Sequence, residues 1–132
     1  MNIRTLYLHS LILFLGACSL GKSFSDSDAV YEFPDKHSQF PGGPDKLSRY
    51  INSHVNYPEV AQQKGVQGKV YVAFIVEKDG SISNVEIVRG VSASINQEAM
   101  RVIRSMPKWN PALKDGLIVR SRARVPINFK LE

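Results

Sequence analysis

Three arginines alternate near the C-terminus, at Arg120, Arg122 and Arg124. On an extended chain, residues two apart share a face, so these side chains form one basic stripe. Guanidinium groups bind carboxylates and phosphates through paired donors. An acidic segment or anionic head groups would suit the stripe, and so would a plain charged guard against edge-to-edge aggregation. Nucleic acid suits it less, because no aromatic residues interleave on that face. The other reactive side chains are sparse. A single cysteine, Cys18, can form neither an internal disulfide nor a zinc cluster of ordinary spacing. The histidines are His9, His37 and His54, and none has a nucleophile or carboxylate at a catalytic spacing. His37 with Asp35 is too sparse for a metal. Asp79 and Asp115 each precede a glycine, where turn geometry explains them. The chain is therefore expected to be a binding module and not an enzyme, with no cofactor and no metal. Its 132 residues, 43% hydrophobic, suffice for one domain and a tail. The net charge of +5 comes mostly from residues 101–130.

Cys18 matters by position. Arg4 begins a short positive region, and a Leu-rich run follows over residues 6–17. About a dozen apolar residues make a signal-peptide core, whereas a membrane span needs about 20. The run closes on Leu15-Gly16-Ala17-Cys18, which resembles a bacterial lipobox. The expectation is a signal peptide over 1–17, acylation of Cys18 and a membrane anchor made of acyl chains. Ser19, and no Asp, follows the cysteine. That favours the outer over the inner membrane, with the protein facing the periplasm.

Residues 18–39 read as a flexible, lipidated tether, rich in Ser, Asp and Lys and without apolar periodicity. Phe40-Pro41-Gly42-Gly43-Pro44 breaks the chain, and one folded domain is expected over 40–132. A helix is predicted over 45–55, capped by Asp45, with Leu47, Tyr50, Ile51 and Val55 on one face. A short helix follows Pro58 and ends at Gly65. Residues 69–77 alternate as a half-buried strand, with Val70, Val72, Phe74 and Val76 facing inward. Lys78-Asp79-Gly80 turns the chain into a second strand over 82–89. A helix over 94–106 is predicted from a Ser94–Gln97 capping box and the stripe Ile95, Ala99, Val102, Ile103 and Met106. The last strand spans 117–131, with Val119, Ser121, Ala123, Val125, Ile127, Phe129 and Leu131 on its inner face. Pro126 lacks a donor, which places this strand at a sheet edge. Trp109 and Tyr57 read as core plugs more readily than as an aromatic binding spot. The economical fold is α+β, a three-stranded antiparallel sheet with helices packed on one face.

Several pieces together resemble the TonB C-terminal domain family. They are Tyr57-Pro58, Ala61, Gly65-Val66-Gln67-Gly68, the strand 70–76, Asp79-Gly80, Val85, Gly90, Ala99, Trp109 with Pro111, Gly116, and Val125-Pro126-Ile127-Asn128-Phe129. The resemblance runs from about Phe40 to Leu131. It implies a periplasmic domain that grips the TonB box, an extended peptide of TonB-dependent outer-membrane receptors, in energy-dependent transport. The box adds as a strand beside the last one, so the implied contacts are Val125, Ile127, Asn128, Phe129, Lys130 and Leu131. The chain departs from a full transducer in having no membrane-spanning anchor and no Pro-rich linker. A tether of about 20 residues reaches at most about 70 Å. The alternative is therefore a lipoprotein adaptor or regulator that binds another envelope protein, or itself as a homodimer, without transmitting force.

Overall fold

A computed structural model describes residues 28–132; Cys18 and the expected signal segment lie outside them. The elements are β1 (Val30–Tyr31), α1 (Pro44–His54), α2 (Glu59–Gln63), β2 (Gly68–Val76), β3 (Ile82–Arg89), α3 (Ala93–Arg104), β4 (Ala112–Lys114) and β5 (Leu117–Phe129). β5 pairs antiparallel with β2, and β2 with β3, which is the expected three-stranded sheet. Two short strands were not expected. β1 joins β5 in parallel, and β4 forms a hairpin with β5. The sheet order is β1-β5-β2-β3.

The core follows from the periodicities. Val70, Val72, Phe74 and Val76 of β2 are fully buried against Ile95, Ala99, Val102 and Ile103 of α3. Burying each such side chain contributes about 1.5–3 kcal/mol. Helix α3 is capped two residues earlier than expected. Ser92 Oγ accepts from the Ile95 backbone N–H at 3.4 Å, so Ser94 and Gln97 do not form the box. Helix α1 likewise starts from Gly43 with Pro44 in its first turn, and Asp45 makes no side-chain cap. The end of α1 is tied to α3 instead. Arg101 donates to the His54 carbonyl at 2.7 Å, and Glu98 accepts from the Asn56 N–H at 2.6 Å.

Trp109 is buried, edge-on to Phe74 at 5.2 Å and to Phe40 at 5.9 Å. Tyr57 packs elsewhere, edge-on to Phe129 at 5.7 Å, and its hydroxyl donates to the Val66 carbonyl. The two aromatics therefore plug separate parts of the core. The Asp79-Gly80 turn serves this packing: the Trp109 N–H donates to the Gly80 carbonyl at 2.8 Å. A Cβ on Gly80 would stand 2.1 Å from the Trp109 carbonyl oxygen, and φ there is +88°. Only glycine fits that approach.

One feature of the outer sheet face departs from simple alternation. Ala73 and Ile75 point away from α3 yet are buried. Their partners in register are Arg124 and Arg122 on β5, with Glu86 and Ser83 on β3. Long arginine stems cover apolar surface while their charged ends reach acidic partners.

Candidate functional site

The edge expectation for the last strand holds for only part of β5. Ser121 pairs with Val76 of β2 on one side and with Tyr31 of β1 on the other. The start of β5 is thus an interior strand. Beyond Ser121, no strand among the described residues is in register on the side away from β2.

Pro126 fixes which backbone groups face that open side. The β2–β5 register passes through Tyr71↔Pro126 without a shift. A proline has no N–H to exchange, so its backbone must point away from β2 for the ladder to continue. By alternation, Arg122, Arg124 and Asn128 also turn their N–H and C=O groups outward. Val125, Ile127 and Phe129 turn theirs to β2, and their side chains are buried at 4%, 1% and 1% exposure. These three residues, expected as partner contacts, therefore build the core and the inner ladder. Of the expected contacts, Asn128 and Lys130 are exposed. Leu131 is half-buried, and its N–H donates to Gln67 Oε1 at 3.1 Å.

The basic stripe is present on the outer face, and it is already paired. Arg120 Nε donates to Glu77 at 2.6 Å, and Arg120 also donates to the Asp28 carbonyl at 2.7 Å. Arg122 donates to Glu86 at 2.8 Å. Its Nε lies 2.8 Å from Glu32 Oε1, an ionic contact without the alignment of a hydrogen bond. Arg124 reaches the other Glu32 oxygen at 3.4 Å. Hydrogen bonds from Arg120 and Ser83 hold the Glu77 carboxyl below its ordinary 4.5, against a smaller opposing effect of burial.

The segment expected to be a tether supplies two of these partners. Residues 30–39 run along the domain: β1 lies on β5, Lys36 bridges to Leu113, and Gln39 to Asn110. Asp35 accepts from the Asp115 N–H at 2.7 Å and from Lys114 at 3.2 Å, and these bonds lower its pKa. Sequence reasoning missed Glu32 and β1. The signal available was a β-favouring pair, Val30-Tyr31, followed by an acid, inside an otherwise polar stretch. His37 lies beside Glu32, Ser38, Arg122 and Arg124 around a shallow depression. His54 caps α1 by contacting the Tyr50 carbonyl. No helix among the described residues is long and apolar enough to cross a membrane.

Residues 53–131 match the family described as Gram-negative bacterial TonB protein C-terminal. Protein TonB of Helicobacter pylori is 28% identical over 88 residues, 66% of this chain and 30% of that protein. Protein TonB of Pseudomonas aeruginosa is 32% identical over 78 residues, 58% of this chain and 22% of that protein. The chain thus spans less than a third of the length of either relative. The solution structure of the H. pylori TonB C-terminal domain, residues 194–285, superimposes with a TM-score of 0.51 at 26% identity. That match covers 65% of this chain and 90% of the other.

Proposed function

Since the chain belongs to the TonB C-terminal family, we propose that it is a TonB-like element of energy transduction whose domain takes the TonB box of an outer-membrane receptor as an added strand on the open side of β5. The carrying observation is the asymmetry of that strand. Nine consecutive pairs lock residues 121–129 to β2, while outward backbone groups from Arg122 to Asn128 have no strand in register among the described residues. A row of unpaired backbone groups on a rigid strand is what an extended peptide can complete. The missing donor at Pro126 interrupts the added ladder, so the rungs flank it at Arg124 and Asn128.

In the same reading, acylated Cys18 holds the chain at a membrane surface, with the outer membrane favoured, facing the periplasm. The ten residues that lead from Cys18 to Asp28 span at most about 35 Å. This keeps the domain close to its membrane, where receptor segments are within reach.

The test is a titration of the isotope-labelled full chain, in detergent, with peptides from receptor N-termini. Shifts concentrated on Arg122, Arg124, Asn128 and Lys130, absent with a scrambled peptide, support strand addition. No shift of these amides at millimolar peptide refutes it and favours the adaptor reading. Shifts that appear on raising the protein concentration alone would assign the edge to a second copy.

A further inference from the structure

The open side of β5 has an occupant at its start, and that occupant is part of the chain. We propose that Val30, Tyr31 and Glu32 form a built-in surrogate ligand, that the partner peptide carries a carboxylate for the site Glu32 fills, and that binding displaces this segment. The inference rests on the peptide-binding reading of β5 above.

The geometry points this way in four steps. First, Ser121 stands between Val76 and Tyr31, so β1 uses the same side of β5 that an added strand would use. Second, the three stripe arginines all hold the segment. Arg120 binds the Asp28 carbonyl at 2.7 Å, and Arg122 and Arg124 flank the Glu32 carboxylate at 2.8 and 3.4 Å. Third, the hold is slight. The ladder is two residues long, and the Glu32 and Arg124 side chains are 44% and 59% exposed. Ion pairs that open to water contribute little. A strand that continues to Asn128 gains rungs that β1 lacks. Fourth, departure of the segment changes the charge. Arg120 keeps Glu77 and Arg122 keeps Glu86, but Arg124 has no other acidic partner among the described residues. An incoming carboxylate restores the pair, and a neutral peptide does not.

Tethering explains how so slight a contact persists. A short linker holds the segment at an effective concentration of about a millimolar or more, which excludes weak competitors from the same edge. The segment then acts as a threshold: peptides with longer ladders and a matching acid pass it, and short or neutral ones do not.

The probes are a synthetic peptide of residues 28–35, the same peptide with Glu32→Gln, and the receptor N-terminal peptides. They are titrated into the full chain and into its Glu32→Lys variant, which repels Arg122 and Arg124 without touching the core. The 28–35 peptide should shift the amides of residues 120–124 in the variant at millimolar concentration and leave the wild-type chain unmoved. Its Gln form should bind roughly fivefold more weakly, as expected for loss of a charge-assisted contact. Receptor peptides should bind the variant several-fold more tightly than the wild type, and in the wild type they should shift Tyr31 and Glu32. If receptor peptides bind both chains equally and leave Tyr31 unmoved, the segment is not in their path; the surrogate inference fails and strand addition stands. If the Gln and Glu peptides bind the variant alike, the carboxylate requirement falls. If no peptide binds either chain, both readings fall.

Discussion

On its β2 side, β5 is paired without a break from Ser121 to Phe129; on the opposite side it meets β1 at Arg120 and Ser121 and then, among the described residues, no strand in register. The two sides belong to different residues. Odd-numbered positions send their side chains into the core and their backbone groups to β2. Even-numbered positions send their side chains, the guanidinium groups of Arg120, Arg122 and Arg124 among them, to the outer face and their backbone groups to the open edge. A strand whose period is two can therefore separate stability from recognition residue by residue.

The largest effect should come from breaking the inner side. Phe129→Ala removes a buried ring that packs on Tyr57, and about 3–5 kcal/mol of stability should go with it, read from denaturant midpoints. Placing proline at adjacent positions sharpens the comparison. Ile127→Pro deletes a donor facing β2 and should lower stability by more than about 2 kcal/mol. Asn128→Pro deletes an outward donor; stability should stay within about 1 kcal/mol while peptide affinity falls about tenfold. Equal destabilisation by the two prolines would overturn the assignment of backbone direction.

Acid should loosen the occupied start of β5 before the open end. The Glu77 pKa is lowered in the folded state by Arg120 and Ser83. Its contribution is therefore complete above the unfolded value, near 4.5, and is lost as pH falls through the lower folded value. Melting temperature followed from pH 6 downward should drop in that window, and Glu77→Gln should flatten the drop. The smallest effect is expected at Ser121. Its Oγ is buried with no hydrogen-bond partner among the described residues, so Ser121→Ala should be neutral or stabilising by up to about 1 kcal/mol. A clear loss of stability on calorimetry would mean that this hydroxyl has a role the geometry does not show.

Much of the fold was legible in the chain. The alternation in β2 and β5, the stripe on α3 and the Asp79-Gly80 turn are local patterns, and local patterns report which face is buried. The misplaced caps show the limit of this reading. Ser92 and Ser94 are equally good capping residues, and the choice between them depends on where β3 ends and how Gly90 and Val91 lead into the helix. The short strands were not legible either. Two residues at β1 and three at β4 carry no period to detect, and they exist because β5 was already in place to pair with them.

The candidate site divides along the same line. The sequence by itself determined that β5 has a buried face, a basic face and a proline that cannot serve a central ladder throughout, because side-chain alternation and a missing donor are properties of the residues. Only the tertiary structure decided which side of β5 stays open and that Glu32 lies between Arg122 and Arg124. It also decided that the backbone groups of Val125, Ile127 and Phe129 turn to β2 while those of Asn128 turn to the open edge. Those outcomes depend on contacts between segments some ninety residues apart (Glu32 to Arg124), and no local pattern encodes a pairing that a distant strand must supply.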